Sequence, residues 1–168
     1  PAIGETNLVR LPPVQRIRQG LRPALAPLAA SAPSGGTPTV TCASWLQYRG
    51  AEVTNTASAG DSLRITSYWS RTDAPTAGLS LSIRMVGAHG EVLAQLDGPV
   101  QQGLYPPAYW PPGEVVPDVK ALSLSSSLGS GEYEVVAIPY DHETAAPFSC
   151  NPSIVLGKVQ ISAATGAE

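Results

Sequence analysis

From Val40 onward, side chains of this chain alternate between apolar and polar with a period of two, and that alternation constrains the fold more than any other feature. In DSLRITSYWSR (61–71), Leu63, Ile65, Ser67 and Trp69 fall on one face and Arg64, Thr66 and Tyr68 on the other. In GLSLSIRMVGA (78–88), Leu79, Leu81, Ile83 and Met85 share one face without interruption. Successive side chains of a strand point to opposite sides, so a strand with one buried face reads in this way and a helix does not. The same period runs through SWLQYRGAEV (44–53, interrupted near Gly50), GEVLAQLDG (90–98), EVVPDVKALSL (114–124), EYEVVAIPYD (132–141) and SIVLGKVQIS (153–162). His89-Gly90 makes the runs at 78–88 and 90–98 a hairpin candidate. Pro117 removes a ladder donor and marks its strand as an edge. Seven short strands, with turns about every ten residues, predict an all-β fold: an antiparallel immunoglobulin-like or jelly-roll β-sandwich over residues 39–164.

Residues 1–38 break the pattern. They hold seven of the seventeen prolines and carry Arg10, Arg16, Arg18 and Arg22 against Glu5, a net +3, whereas the remainder nets −6. Leu8, Leu11, Val14 and Ile17 recur every three residues, followed by Leu21. PVQRIRQGLR (13–22) fits a short helix with Pro13 at its first position, and an extended polyproline-like arm fits equally well. SAPSGGTP (31–38) reads as a hinge. A basic arm beside an acidic body is expected to dock, through Leu8, Arg10, Leu11, Val14, Arg16, Ile17, Arg18, Leu21 and Arg22, on its own body or on a neighbouring copy in a homo-oligomer.

The 168 residues are 43% hydrophobic, enough for a core, but only 14% charged, and just two are lysine. A formal charge of −3 gives no footprint for nucleic acid. No apolar run reaches the length of a membrane span, so contact with a bilayer is expected only through a segment upstream of Pro1. The chain starts without Met and without a secretory leader, and is expected to be a piece of a larger protein. Cys42 and Cys150 are the only cysteines. They read either as a disulfide closing a long loop, in keeping with an extracytoplasmic composition, or as two separate buried thiols.

Catalytic signatures are absent from the sequence. His89 and His142 have no ligand-like spacing to the cysteines, and no metal or cofactor is expected. Asp141-His142-Glu143 point in different directions as neighbours in a loop. Glu132 and Glu134 share a solvent face, and no nucleophile elbow, zincin or phosphate-binding loop occurs. The chain is therefore expected not to be an enzyme.

YPPAYWPPGEVVPD (105–118) packs five prolines and three aromatics into fourteen residues. One reading makes it a stiff joint, with Trp110 tucked into the sandwich and Gly113 turning the chain into the next strand. Another makes Tyr105, Tyr109 and Trp110 an exposed platform for a glycan, with Asp97, Gln101 or Gln102 bonding its hydroxyls, or for a protein partner.

The order of SYW, LSIRMVGAHGEVLAQLDGP, GLYPPAYWPPGEVVPD, GEYEVVAIPYDHET and VLGKVQI, across residues 44–162, resembles the extracytoplasmic β-sandwich domain that lies C-terminal to the membrane part of some bacterial glycosyltransferase-like proteins. These are of the dolichyl-phosphate-mannose type and frequent in Chloroflexi. The shared pattern is Tyr105-Pro106, Trp110 and Pro112-Gly113-Glu114-Val115-Val116. Pro107, Tyr109, Pro111 and the cysteine pair depart from it. The resemblance implies a non-catalytic cell-surface accessory module, because catalysis in that family belongs to the membrane part. The alternative expectation is a subunit of an extracellular filament or surface assembly, joined through its N-terminal arm in the manner of a donor strand.

Overall fold

The computed structural model describes residues 39–164, so the expected arm and its docking residues lie outside the described residues. Among these residues ten strands form in order: β1 (Val40–Cys42), β2 (Leu46–Val53), β3 (Thr56–Ser58), β4 (Ser62–Arg71), β5 (Leu79–Val86), β6 (Val92–Pro99), β7 (Val116–Ser123), β8 (Gly131–Asp141), β9 (Cys150–Asn151) and β10 (Ile154–Ser162). They build two five-stranded sheets, β7-β4-β2-β1-β9 and β3-β10-β8-β5-β6. The fold is an all-β sandwich. Between the two alternatives the connectivity chooses the immunoglobulin-like one: β4 lies between β2 and β7, β8 lies between β5 and β10, and β6 extends the second sheet beyond β5.

Every strand expected from the alternation is present. The seven are joined, among the described residues, by β1, β3 and β9, of two or three residues each. The strand pairs are antiparallel as expected, except that β3 runs parallel to β10 (Ile161 opposite Ala57) among the described residues. β3 is the strip where the chain, leaving β2 in the first sheet, crosses to the edge of the second.

Alternation explains the core directly. Leu63, Ile65 and Trp69 from β4 face Leu81, Ile83 and Met85 from β5, Val135 from β8 and Val159 and Ile161 from β10, all essentially inaccessible to solvent. Burying one such side chain contributes roughly 1.5–3 kcal/mol, so the parity of each strand is held by several side chains at once. Ser67 is the polar member of the inward row, and the indole of Trp69 donates to its hydroxyl at 2.8 Å. Where the period slips, a bulge restores it. One lies between Tyr48 and Gly50, with Gly50 at φ 121°. A second lies between Val155 and Gly157. There a Cβ on Gly157 would stand 3.2 Å from Val53, so the close approach of β10 to β2 depends on glycine.

Cys42 and Cys150 form a disulfide between directly opposed residues of β1 and β9. It ties the start of the body to the loop before its last strand, with 108 residues of separation.

Candidate functional site

The proline-aromatic stretch is built as a plug. Tyr105 and Trp110 are both 0% exposed, and only Tyr109, at 38%, reaches solvent. The Trp110 indole donates to the Tyr105 carbonyl at 2.8 Å, and the two rings lie 6.4 Å apart. Arg71 donates its Nε–H to the Trp110 carbonyl, and the Gly113 amide donates back to the Arg71 carbonyl at 2.8 Å. Gly113 sits at φ +78°, a turn that a side chain would strain. The three-ring platform is therefore corrected: a buried indole needs a partner for its N–H, and the loop's own backbone supplies it from inside the sandwich.

Gln101 and Gln102 also do something other than expected. With Gly103 they form a left-handed turn, at φ 50°, 54° and 79°. The Asp118 carboxylate accepts from the Gln101 amide at 2.7 Å, and the Gln101 side chain donates to the Pro117 carbonyl. Lys120, 3.5 Å from Asp118, donates to the Pro99 carbonyl at 2.8 Å. This pair staples the β7 edge of one sheet to the end of β6 in the other. Burial pushes the Asp118 carboxyl up, and Lys120 and the Gln101 amide only partly offset it.

The open site lies elsewhere, on the outer face of the second sheet. Its register puts Ser82 opposite Ile138 on β8 and opposite Asp97 on β6, with Ser80–Tyr140 and Arg84–Gln95 in the flanking rows. The segment after β8 then turns back over this face. Phe148 donates its amide to the Pro139 carbonyl, and Pro147 bridges to Tyr140. The result is a groove of about 490 Å³ floored by Ser82, Arg84, Asp97, Ile138 and Tyr140 and walled by Ala145 and Pro147. That volume lies in the range of small-ligand sites, roughly 300–1,000 Å³.

Polar atoms in the groove are partly engaged. Arg84 donates its Nε–H to the Ser82 hydroxyl at 3.0 Å, and it forms no salt bridge among the described residues. Asp97 accepts from Gln95 at 2.6 Å through one oxygen. The wall is held firmly. The Thr144 hydroxyl bonds the Asp141 carboxylate at 2.7 Å and the Glu143 amide bonds it at 3.0 Å. Together they hold that carboxyl below its usual range. Ala145 sits at φ 58°, where its N–H donates a hydrogen bond to the Asp141 carbonyl at 2.9 Å. The loop ends at the disulfide, with Phe148 edge-on to Trp45 at 5.7 Å.

His142 Nδ1 lies 3.0 Å from the Ser80 hydroxyl. Ser80 is wholly buried, and the pair reads as a latch between β5 and the wall loop. Among the described residues, no three His, Cys, Asp or Glu side chains are grouped to hold a metal, and no helix is long and apolar enough to cross a membrane.

Arg84 and Tyr140 were not singled out from the sequence. The available signal was parity: Arg84 is the one charge in LSLSIRMV, and it shares its face with Ser80 and Ser82.

Compared with known proteins, the chain matches no protein family and no curated protein. Solved structures resemble it in outline. A β-glucuronidase of glycoside hydrolase family 2 is 15% identical over 66% of this chain, with a TM-score of 0.42, and the chain spans 10% of its length. A Niemann-Pick type C2 protein from the Japanese carpenter ant is 7% identical over 68% of this chain and 91% of its own, with a TM-score of 0.45. The CARDB domain of a Pyrococcus furiosus protein, solved with di-metal ions, is 9% identical over 74% of this chain and 93% of its own, with a TM-score of 0.42.

Proposed function

We propose that this chain is a non-catalytic recognition module that works outside the cytoplasm and holds its partner in the groove on the outer face of the second sheet. The observation that carries the reading is the Arg84 fork, only one of whose N–H groups is used among the described residues, set in a concave site whose wall is pinned at several points. A guanidinium presents five donors in a fixed plane, and recognition sites are typically apolar hollows with a few such oriented polar groups. The disulfide fits an oxidising compartment. Among the described residues Asp97 is the one carboxylate that lines the groove.

The test is an array of glycans and peptides probed with the full oxidised chain, with Arg84→Ala as control. Signals that disappear with the variant support the reading. An array that stays silent, or that lights equally with both proteins, refutes it.

The charge split between residues 1–38 and the rest favours a second reading, a surface-assembly subunit joined through that arm. The exposed Val119 on edge strand β7 offers such an arm a place to add. Mass in solution, with and without residues 1–38, decides it: equal masses remove the assembly.

A further inference from the structure

We infer that the groove is a saccharide site, and that its ligand is an uncharged sugar with two adjacent hydroxyls, held between Arg84 and Asp97 with one ring face on Ile138, Tyr140 and Pro147. The inference rests on the recognition reading above and adds the class of ligand.

Donors and acceptors stand side by side in the groove. Arg84 lines the groove and uses Nε for Ser82, and its two terminal nitrogens make no hydrogen bond or salt bridge among the described residues. Asp97, diagonal to Arg84 across β5 and β6, has one oxygen taken by Gln95. A hydroxyl both donates and accepts. Two neighbouring hydroxyls can therefore accept from the guanidinium and donate to the carboxylate together, an arrangement that satisfies all four groups. A carboxylate or phosphate ligand would satisfy Arg84 but meet Asp97, and an amine would do the reverse.

Charge supports the same conclusion. Among the described residues the groove lining carries one positive and one negative side chain. Residues 39–164 carry six basic and eleven acidic side chains, so an anion approaches against the field of the whole body.

The remaining surface is apolar and of suitable shape. Ile138 and Tyr140 are two residues apart on β8, so they lie on one face roughly 7 Å apart along the strand. Ala145 and Pro147 stand over them from the wall loop. Tyr140, half-buried, offers part of its ring to the C–H face of a sugar, while Arg84 and Asp97 reach the hydroxyls at the ring's edge. The wall is already ordered by Asp141, by the Phe148–Pro139 bond and by Cys150, so binding does not have to order it.

The experiment uses the full oxidised chain labelled with ¹⁵N. Backbone amides and the Arg84 Nε–H signal are followed while cellopentaose, mannopentaose, an oligogalacturonate, a chitosan oligomer and a proline-rich peptide are added separately to millimolar concentration. The expected result is saturable shifts confined to Arg84, Asp97, Tyr140 and Ala145 with one or both neutral sugars. Affinity should weaken by at least about tenfold in Arg84→Lys, which keeps the charge but loses the fork, and in Asp97→Asn. Unchanged melting temperatures show that both variants are folded.

Stronger groove binding by the oligogalacturonate or the chitosan overturns the uncharged class and leaves the recognition reading standing. Groove shifts with the peptide alone overturn the saccharide and leave the module. Neutral-sugar affinity unchanged in both variants overturns the roles of Arg84 and Asp97. Silence toward all five probes overturns this inference and the function beneath it.

Discussion

Replacing Cys42 and Cys150 by alanine removes a cross-link that encloses most of the body. The two residues are 108 apart in sequence, and all of β2 to β8 lies between them. In the chain-entropy treatment a loop of that size restricts the unfolded ensemble by about 4.8 kcal/mol at 25 °C. Whole domains are stable by about 5–15 kcal/mol, so a third or more of the total rests on one bond. Alanine is the right replacement because Cys42 is wholly buried, and a serine hydroxyl there would add its own desolvation cost.

Urea unfolding followed by tryptophan emission measures the effect, since Trp45, Trp69 and Trp110 are all at most 1% exposed and report loss of the core. With a slope near 2 kcal/mol/M, the midpoint should fall by about 2 M. The slope should also rise, because the freed unfolded chain expands and exposes more surface. Reduced wild-type protein should match the double variant. A midpoint within about 0.5 M of wild type, at unchanged slope, would refute the reasoning, because it would mean that the unfolded chain gains little freedom when the bond is cut.

Three further outcomes follow from particular contacts. Trp110→Ala should destabilise by about 3–5 kcal/mol by emptying the sandwich end. Trp110→Phe should cost about 1–3 kcal/mol, mainly by leaving the Tyr105 carbonyl without its 2.8 Å donor; both are read from urea midpoints. Gly157→Val should cost about 1–3 kcal/mol, because its new atoms press on Val53 at the bulge, and thermal melts check it. For pH, the folded-state pKa of Asp118 is raised above 3.8 by burial, so between 3.8 and that raised value the folded chain holds the extra proton. This contribution to stability is therefore lost as pH rises through the window and regained on acidification. Wild type should gain on Asp118→Asn as pH falls toward 3.8 in paired urea titrations, and a constant difference would exclude the effect. Asp141 acts in the opposite sense in both proteins: its depressed pKa gives stability above 3.8 that is lost on acidification, so the comparison cancels it.

The seven long strands were legible because each carries several inward side chains, so that a one-residue slip would expose the whole row. β1, β3 and β9 were not, since two or three residues cannot display a period. The fate of Tyr105 and Trp110 was open for a different reason. A proline-rich loop with three rings has the same composition whether its rings face water or the core. What decides is a network that reaches Arg71, 39 residues upstream of Trp110. The groove was hidden more deeply: its floor comes from β5, β6 and β8 and its wall from the loop after β8. Strand alternation says which side chains face outward, but it does not say which outward face will be covered.

That covering loop connects the stability of the body to the groove on its outer face. Residues 142–149 rise from β8, form the wall through Ala145 and Pro147, and end at Cys150, where β9 pairs with β1 and the disulfide closes. The same covalent bond therefore restrains the unfolded chain and fixes the far end of the wall. The near end is held independently by Asp141 with Thr144 and Glu143. A loop anchored at one end keeps its local turn but loses the position of its tip, so reduction should loosen Pro147 and Phe148 before it disturbs the turn at Asp141. The position of the wall is in this way tied to the redox state of a single pair of cysteines, while the floor, set by the register of three long strands, is indifferent to it.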